Sequence, residues 1–185
     1  MYKMIPWSKN LDLSTFYEQA RLKGFSNNST QDALVHCFDN EKEKQIWILY
    51  FNSTPIGSVA AHSLELFEPN SYRICARTCV LDTFRKNRGL GTKNQLIVQH
   101  QNITDQFYIP TAIEWAGIEN NLYISTHDSN FASQSMVHRT YCPTMERMGL
   151  LENIGEFFYR GHQQTFWRLN SQKFLDDIKK YPSWN

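Results

Sequence analysis

The sequence predicts an α/β (α+β) fold, a mixed and mostly antiparallel central sheet flanked by helices. Three observations carry this. Strand-like runs over residues 45–51, 56–67 and 72–81 follow one another across short turns, as in an antiparallel meander. Runs with apolar residues at helical spacing stand before and after that meander. The third strand then passes through a glycine-punctuated turn, Gly89-Leu90-Gly91, into a helix-like run over 92–101.

In chain order, residues 1–7 can form a first strand, which Pro6 confines to a short or edge position. Ser14 or Thr15 can cap a helix carrying Leu13, Phe16, Tyr17 and Ala20, with a capping-box form at Thr15-Phe16-Tyr17-Glu18 and a stop at Gly24. Ser29 or Thr30 can cap a second helix with Ala33, Leu34, Cys37 and Phe38 on one face. Asn52-Ser53-Thr54-Pro55 and Glu68-Pro69-Asn70 supply the two turns of the meander. Beyond the loop helix, 121–126 is a short strand. Residues 131–148 are helix-like with an interruption at Pro143, and 156–169 form a hairpin turning at Gly161. Residues 102–120 are an insertion whose Tyr108 and Trp115 either shape a pocket or fill a core. The tail carries Phe174, Leu175 and Ile178 at the spacing of a short amphipathic helix laid on the surface. The chain is therefore divided into one domain, 1–170, and a C-terminal extension, 171–185.

Composition narrows the functional classes. A chain of 185 residues, 41% hydrophobic and 20% charged, is ordinary for one globular domain. A net charge of +1 gives no whole-protein attraction to nucleic acid. No apolar run approaches the roughly 20 residues that span a bilayer, and the N-terminus lacks a secretory signal, so a cytoplasmic protein is expected. The four cysteines, Cys37, Cys75, Cys79 and Cys142, have no metal or disulfide-framework spacing, which predicts reduced thiols and no metal. Cys75 and Cys79 should share one strand face as core thiols.

The glycine turn is the main chemical signal. A turn between strand and helix leaves successive N–H groups aimed at one spot, and the helix N-terminus adds partial positive charge. Arg85, Lys86, Arg88 and Lys93 surround it, which suits a polyphosphate. A Walker loop fails because Gly91 is followed by Thr92-Lys93 in the wrong order. A dinucleotide fingerprint fails because the third glycine position is Asn94. The frame Lys86-Asn87-Arg88-Gly89-Leu90-Gly91 instead resembles the acetyl-CoA loop of the GCN5-related N-acetyltransferase (GNAT) superfamily, with Lys in a slot that usually holds Gln or Arg. The order of elements over about 13–169 follows the same family.

That resemblance implies acetyl-CoA as co-substrate and an amine acceptor that attacks the thioester directly. It assigns the coenzyme to Arg85, Lys86, Asn87, Arg88, Gly89, Leu90, Gly91 and Thr92, with Val80 and Leu81 along the pantetheine arm and Asn130 near it. The family's proton-donating Tyr corresponds to Met145, which has no proton to give, and Tyr141, four residues earlier on the same helix face, is the substitute. His127, after the 121–126 strand, is the expected base because an imidazole titrates near neutrality; Glu114 and Glu65 compete, and His138 and His162 have lesser claims. Aromatic packing for Tyr141 and a helix-capping role for Asn130 remain open. Two other classes stay in play, a non-catalytic module binding CoA or another phosphate ligand and a nucleic-acid contact protein using the basic turn. No membrane partner is expected, nucleic acid is disfavoured, and a homodimer is left open.

Overall fold

The run Ile46-Trp47-Ile48-Leu49 leaves no polar face: alternate residues of a strand point to opposite sides of a sheet, so both sides must be covered. The computed structural model describes residues 1–22, 41–81, 100, 102–127 and 141–181, with backbone alone at 20–22, 77 and 127. Its strands are β1 (Tyr2–Pro6), β2 (Lys44–Phe51), β3 (Thr54–Ser63), β4 (Ser71–Val80), β5 (Asn121–His127), β6 (Leu151–Tyr159) and β7 (His162–Leu169). They form one seven-stranded sheet in the order β1-β2-β3-β4-β5-β7-β6. Every neighbouring pair is antiparallel except β4 with β5. The mixed, mostly antiparallel sheet is as expected, and Pro6 does lie on an edge strand.

One face of the sheet carries Trp47, Leu49, Val59, Ile74, Leu122, Ile124 and Trp167. A π-helical turn, Thr104–Tyr108, runs directly into α2 (Ile109–Ala116) and lays Tyr108, Ile109, Ala112 and Ile113 on that face. The insertion is thus a core helix. Beside it, α3 (Cys142–Arg147) contributes Met145, and α4 (Ser171–Ile178) contributes Phe174. Phe174 has 0% exposure, so the tail helix is built into the core rather than laid upon it. Pro143 sits in the first turn of α3, where a missing N–H costs nothing, and so does not interrupt that helix.

The opposite face is covered near β2–β4 by α1 (Ser14–Leu22), whose Phe16 and Tyr17 meet Ile48, Cys79 and Leu81. Neither expected cap is used there. Asp12 accepts from the Ser14 amide at 3.3 Å and its hydroxyl at 2.9 Å, and the Leu13 carbonyl takes the first helical bond from Tyr17. Farther along the same face, Tyr123, Phe166 and Leu64 gather Phe67 and Phe157 around them. The expected helix at 29–38, the stop at Gly24 and the 131–140 part of the expected third helix lie outside the described residues.

β4 departs from regular pairing. Ser58 faces Cys79, Ala60 faces Ala76 and His62 faces Arg73, so β4 spends three residues twice where β3 spends two. Each extra residue is a bulge, and Cys75 takes φ 56° within one of them. The bulge between Ala76 and Cys79 reverses the alternation expected for the two cysteines. Cys79 packs with α1, whereas Cys75 packs against the cluster on the other face. Cys75, Cys79 and Cys142 are free thiols.

Candidate active site

β4 and β5 pair over only three residues, Ser71 with Asn121, Tyr72 with Leu122 and Arg73 with Tyr123. β4 continues to Val80 and β5 to His127 without further pairing, because the bulged β4 curves with β3 while β5 follows β7. The result is a V whose apex is Arg73 and whose mouth lies at the end of β4 from which the glycine turn follows. At the mouth, the Leu81 amide is bonded to the Ile56 carbonyl of β3 at 2.8 Å. By strand alternation the Val80 N–H and C=O then point away from β3, into the V. Gly57, opposite Val80, is required by close approach, since a Cβ there would lie 2.2 Å from the Tyr108 hydroxyl and 2.6 Å from the Cys79 carbonyl. Tyr108 donates to that carbonyl at 2.6 Å.

The apex is held by side chains in series. Arg73 Nε donates to Ser125 Oγ at 2.7 Å, Ser125 donates to Gln164 Oε1 at 2.9 Å, and Gln164 Nε2 donates to the Tyr159 carbonyl at 2.8 Å. One hydrogen-bonded line therefore crosses β4, β5, β7 and β6. Beside it, Arg160 is ion-paired with Glu41 and lies over the Tyr159 ring at 5.6 Å. His62, fully buried on β3, meets the Ser63 carbonyl through Nδ1 at 2.7 Å, which assigns the proton to Nδ1. Burial first, and then the charges of Arg73 and Arg160, push its pKa down to about 3, so His62 is neutral.

On the other face, behind the V, Asp105 is buried and accepts three donors. They are the Tyr141 hydroxyl, Asn102 Nδ2 at 2.9 Å and His100 Nδ1 at 3.0 Å. Asp177 of α4 approaches His100 Nε2 at 3.7 Å. Burial alone would lower the His100 pKa, but the Asp105 hydrogen bond and the two carboxylate charges raise it above its ordinary value. Burial, reinforced by Asp105, holds the Tyr141 pKa well above the ordinary tyrosine range. Burial pushes Cys75 up to about 12.

Of the sequence-expected residues, Val80 and Leu81 lie at the mouth of the V. His127 is the last residue of β5, paired with Gln164, rather than the first beyond the strand. Tyr141 immediately precedes α3, and its hydroxyl is given to Asp105. Glu114 is exposed on α2, His162 is exposed at the start of β7, and Glu65 pairs with Lys42 at 2.5 Å. Residues 85–92, Asn130 and His138 lie outside the described residues. Sequence reasoning missed Arg73, Ser125, Gln164 and His62. The local signal was weak, because Ser125 and Gln164 stand among other polar residues of their strands and only the sheet brings the four together. A depression lined by Lys42, Glu43, Lys44, Tyr72 and Trp115 lies at the far end of β4 from the glycine turn. Among the described residues no helix is long and apolar enough to cross a membrane, and no group of His, Cys, Asp and Glu is placed to hold a metal ion.

The fold has counterparts among solved structures. The aminoglycoside acetyltransferase AAC(6')-Ib in complex with coenzyme A superposes with a TM-score of 0.57 at 14% identity, covering 95% of this chain and 98% of that one. A probable acetyltransferase from Staphylococcus epidermidis gives 0.54 at 12% identity, covering 91% and 98%. A GNAT family acetyltransferase from Elizabethkingia anophelis with acetyl-CoA bound gives 0.50 at 12% identity, covering 91% and 97%. The chain has the GNAT fold. No protein-family model matches it, and no curated protein matches it in sequence. The GNAT likeness is one of architecture.

Proposed function

We propose that the protein is an N-acetyltransferase that moves an acetyl group from acetyl-CoA to an amine by direct attack. The observation that supports this most is the V between β4 and β5, which opens beside the strand end leading into the glycine turn. A linear coenzyme arm can occupy such a gap by bonding to the unpaired strand edge, much as an added strand would. In this reading residues 85–92 hold the pyrophosphate, Asn130 meets the arm and the Val80 N–H polarises the thioester carbonyl. Leu81, whose amide is committed to β3, supports the arm by packing alone.

The amine nitrogen adds its lone pair to the acetyl carbon while the carbonyl oxygen takes negative charge. Collapse breaks the carbon–sulfur bond and releases the thiolate, which takes up a proton, while the nitrogen loses one. His127 is the proposed acceptor of that proton, with Glu114 a remote alternative because it faces solvent on α2. A tyrosine hydroxyl already given to a buried carboxylate, with its pKa raised, is a poor acid. We therefore assign Tyr141 to holding Asp105 and assign thiolate protonation to solvent.

A second reading, a non-catalytic CoA-binding module, is favoured by Met145, which is buried in the core where the resemblance expects a proton donor. Calorimetry with acetyl-CoA, followed by a thiol-release assay with amine acceptors, separates the two. The transferase reading expects binding that Gly89→Glu abolishes and thiol release that depends on amine. Binding without amine-dependent release would establish the module, and absence of binding at millimolar coenzyme would remove both.

A further inference from the structure

The Val80 N–H is one end of a peptide unit, and the other end, the Cys79 carbonyl, is held by a side chain. A peptide is planar and trans, so its C=O and N–H point to opposite sides of the strand. Tyr108 donates to the Cys79 carbonyl at 2.6 Å, on the side where Gly57 of β3 stands. The Val80 N–H of the same unit therefore faces away from β3, into the V. The Leu81 amide, bonded to the Ile56 carbonyl at 2.8 Å, gives the same direction independently.

Three features shape this contact. Tyr108 has 0% exposure and closes the π-helical turn Thr104–Tyr108. Such a turn holds one residue more than an α turn and shifts the side chains that follow it, and π turns recur at functional sites. Gly57 leaves the room, since any Cβ there would collide with both the hydroxyl and the carbonyl. Finally, a hydroxyl bonded to an amide oxygen draws electrons from the nitrogen toward that oxygen. The N–H becomes a stronger donor, most of all in buried surroundings.

We propose, on the acetyltransferase reading above, that Tyr108 is a positioning residue for acetyl transfer. Its hydroxyl fixes and polarises the Cys79–Val80 peptide so that the Val80 N–H stabilises negative charge on the thioester oxygen. That charge grows from the thioester to the tetrahedral adduct, so a stronger donor favours the transition state over the ground state. Losing the hydroxyl slows the chemistry and leaves coenzyme affinity nearly alone.

The test uses the full chain with acetyl-CoA isotopically labelled at the acetyl carbonyl. Calorimetry first establishes binding, and difference infrared spectroscopy then reads the carbonyl stretch. In the wild-type protein the bound band should lie below that of free acetyl-CoA. In Tyr108→Phe it should move back toward the free value at unchanged coenzyme affinity. Amine-dependent thiol release should fall in kcat by roughly threefold to thirtyfold with KM little changed. That is less than the roughly hundredfold to thousandfold loss from deleting an oxyanion donor outright. Gly57→Ala, which keeps Tyr108 but crowds its hydroxyl off the carbonyl, should shift the band the same way and serves if Tyr108→Phe does not fold. Tyr141→Phe makes the same deletion at a hydroxyl given to Asp105, and should leave the band in place. A folded Tyr108→Phe, or Gly57→Ala in its stead, with the wild-type band and kcat overturns the role of Tyr108 while the transferase reading stands. So does a band that moves equally in Tyr141→Phe, which would mean a general loosening. Failure of acetyl-CoA to bind removes the transferase reading and this proposal with it.

Discussion

Two polar clusters interrupt the apolar faces of this sheet, and they are built on opposite terms. Behind the V, one carboxylate, Asp105, is buried and receives Tyr141, Asn102 and His100. At the apex, Arg73, Ser125 and Gln164 form a line with the Arg160–Glu41 pair beside it, and apart from the buried Gln164 these side chains are partly exposed. Desolvation makes an unmet buried charge costly, so the buried Asp105 carboxylate is spent on internal donors, while His100 Nε2, 3.7 Å from Asp177, keeps no hydrogen-bond partner among the described residues. A half-open cluster keeps its polar groups in reach of water and therefore of a ligand. We accordingly read the Asp105 cluster as structure and the Arg73 cluster as function.

The largest effect expected from that contrast is on stability at Asp105. Asp105→Ala leaves three donors, two of them on buried residues, without their acceptor, a loss of about 3–5 kcal/mol by analogy with broken buried ion pairs. Urea denaturation should show it as a lower midpoint. Arg73→Gln, on the partly exposed cluster, should change stability far less. Similar losses for the two variants would break the comparison.

The buried histidines His62 and His100 sharpen it through pH. His62 has a folded pKa of about 3, against about 6.5 in an unfolded chain. A depressed pKa contributes stability that is present above about pH 6.5 and lost as pH falls toward 3. His100 is raised, so its contribution is complete below about pH 6.5 and is lost as pH rises through the folded value. Melting temperatures of His62→Gln and His100→Gln should therefore differ from wild type with opposite pH slopes. Parallel slopes would mean that one histidine's surroundings are misjudged.

Tyr141→Phe comes next. Removing one of three donors from a buried carboxylate should cost about 1–3 kcal/mol. If Tyr141 only holds Asp105, amine-dependent turnover at a temperature where both proteins are folded should remain near wild type. A large fall in kcat with little loss of stability would restore Tyr141 as proton donor. In the double variant with Asp105→Ala the two losses should not add, because they share one interaction.

How legible each region was follows from the kind of signal it leaves. The meander could be read because Ile46-Trp47-Ile48-Leu49 and the turn at Asn52 act over a few residues. The β6–β7 turn was legible too: Arg160 and Gly161 both take positive φ, the conformation for which glycine is the default residue. The bulges of β4 were not legible, since an extra residue leaves no mark in composition, and the reversed placement of Cys75 followed from that. The insertion at 102–120 was left open between pocket and core because Tyr108, Ile109 and Ala112 show their burial only once β3 and β4 are in place to receive them. The Asp105 cluster draws on residues from 100 to 177, and long-range convergence of that kind has no local pattern. Arg73 was passed over because a charged residue on a strand usually faces water. Its meaning comes from β5 parting beside it.

The smallest effect expected is also the cleanest control on the argument from burial. Arg168 and Glu152 pair at 2.6 Å across β7 and β6, with side chains 43% and 62% exposed. Arg160 and Glu41 also pair, but at 33% and 15%. Coulomb attraction is screened where water reaches both partners, and ordering two long side chains costs entropy, so exposed pairs are worth about 0–1 kcal/mol. A double-mutant cycle on Arg168 and Glu152 should return a coupling near the lower end of that range, and added salt should erase it. The cycle on Arg160 and Glu41 should return a larger coupling that salt reduces less.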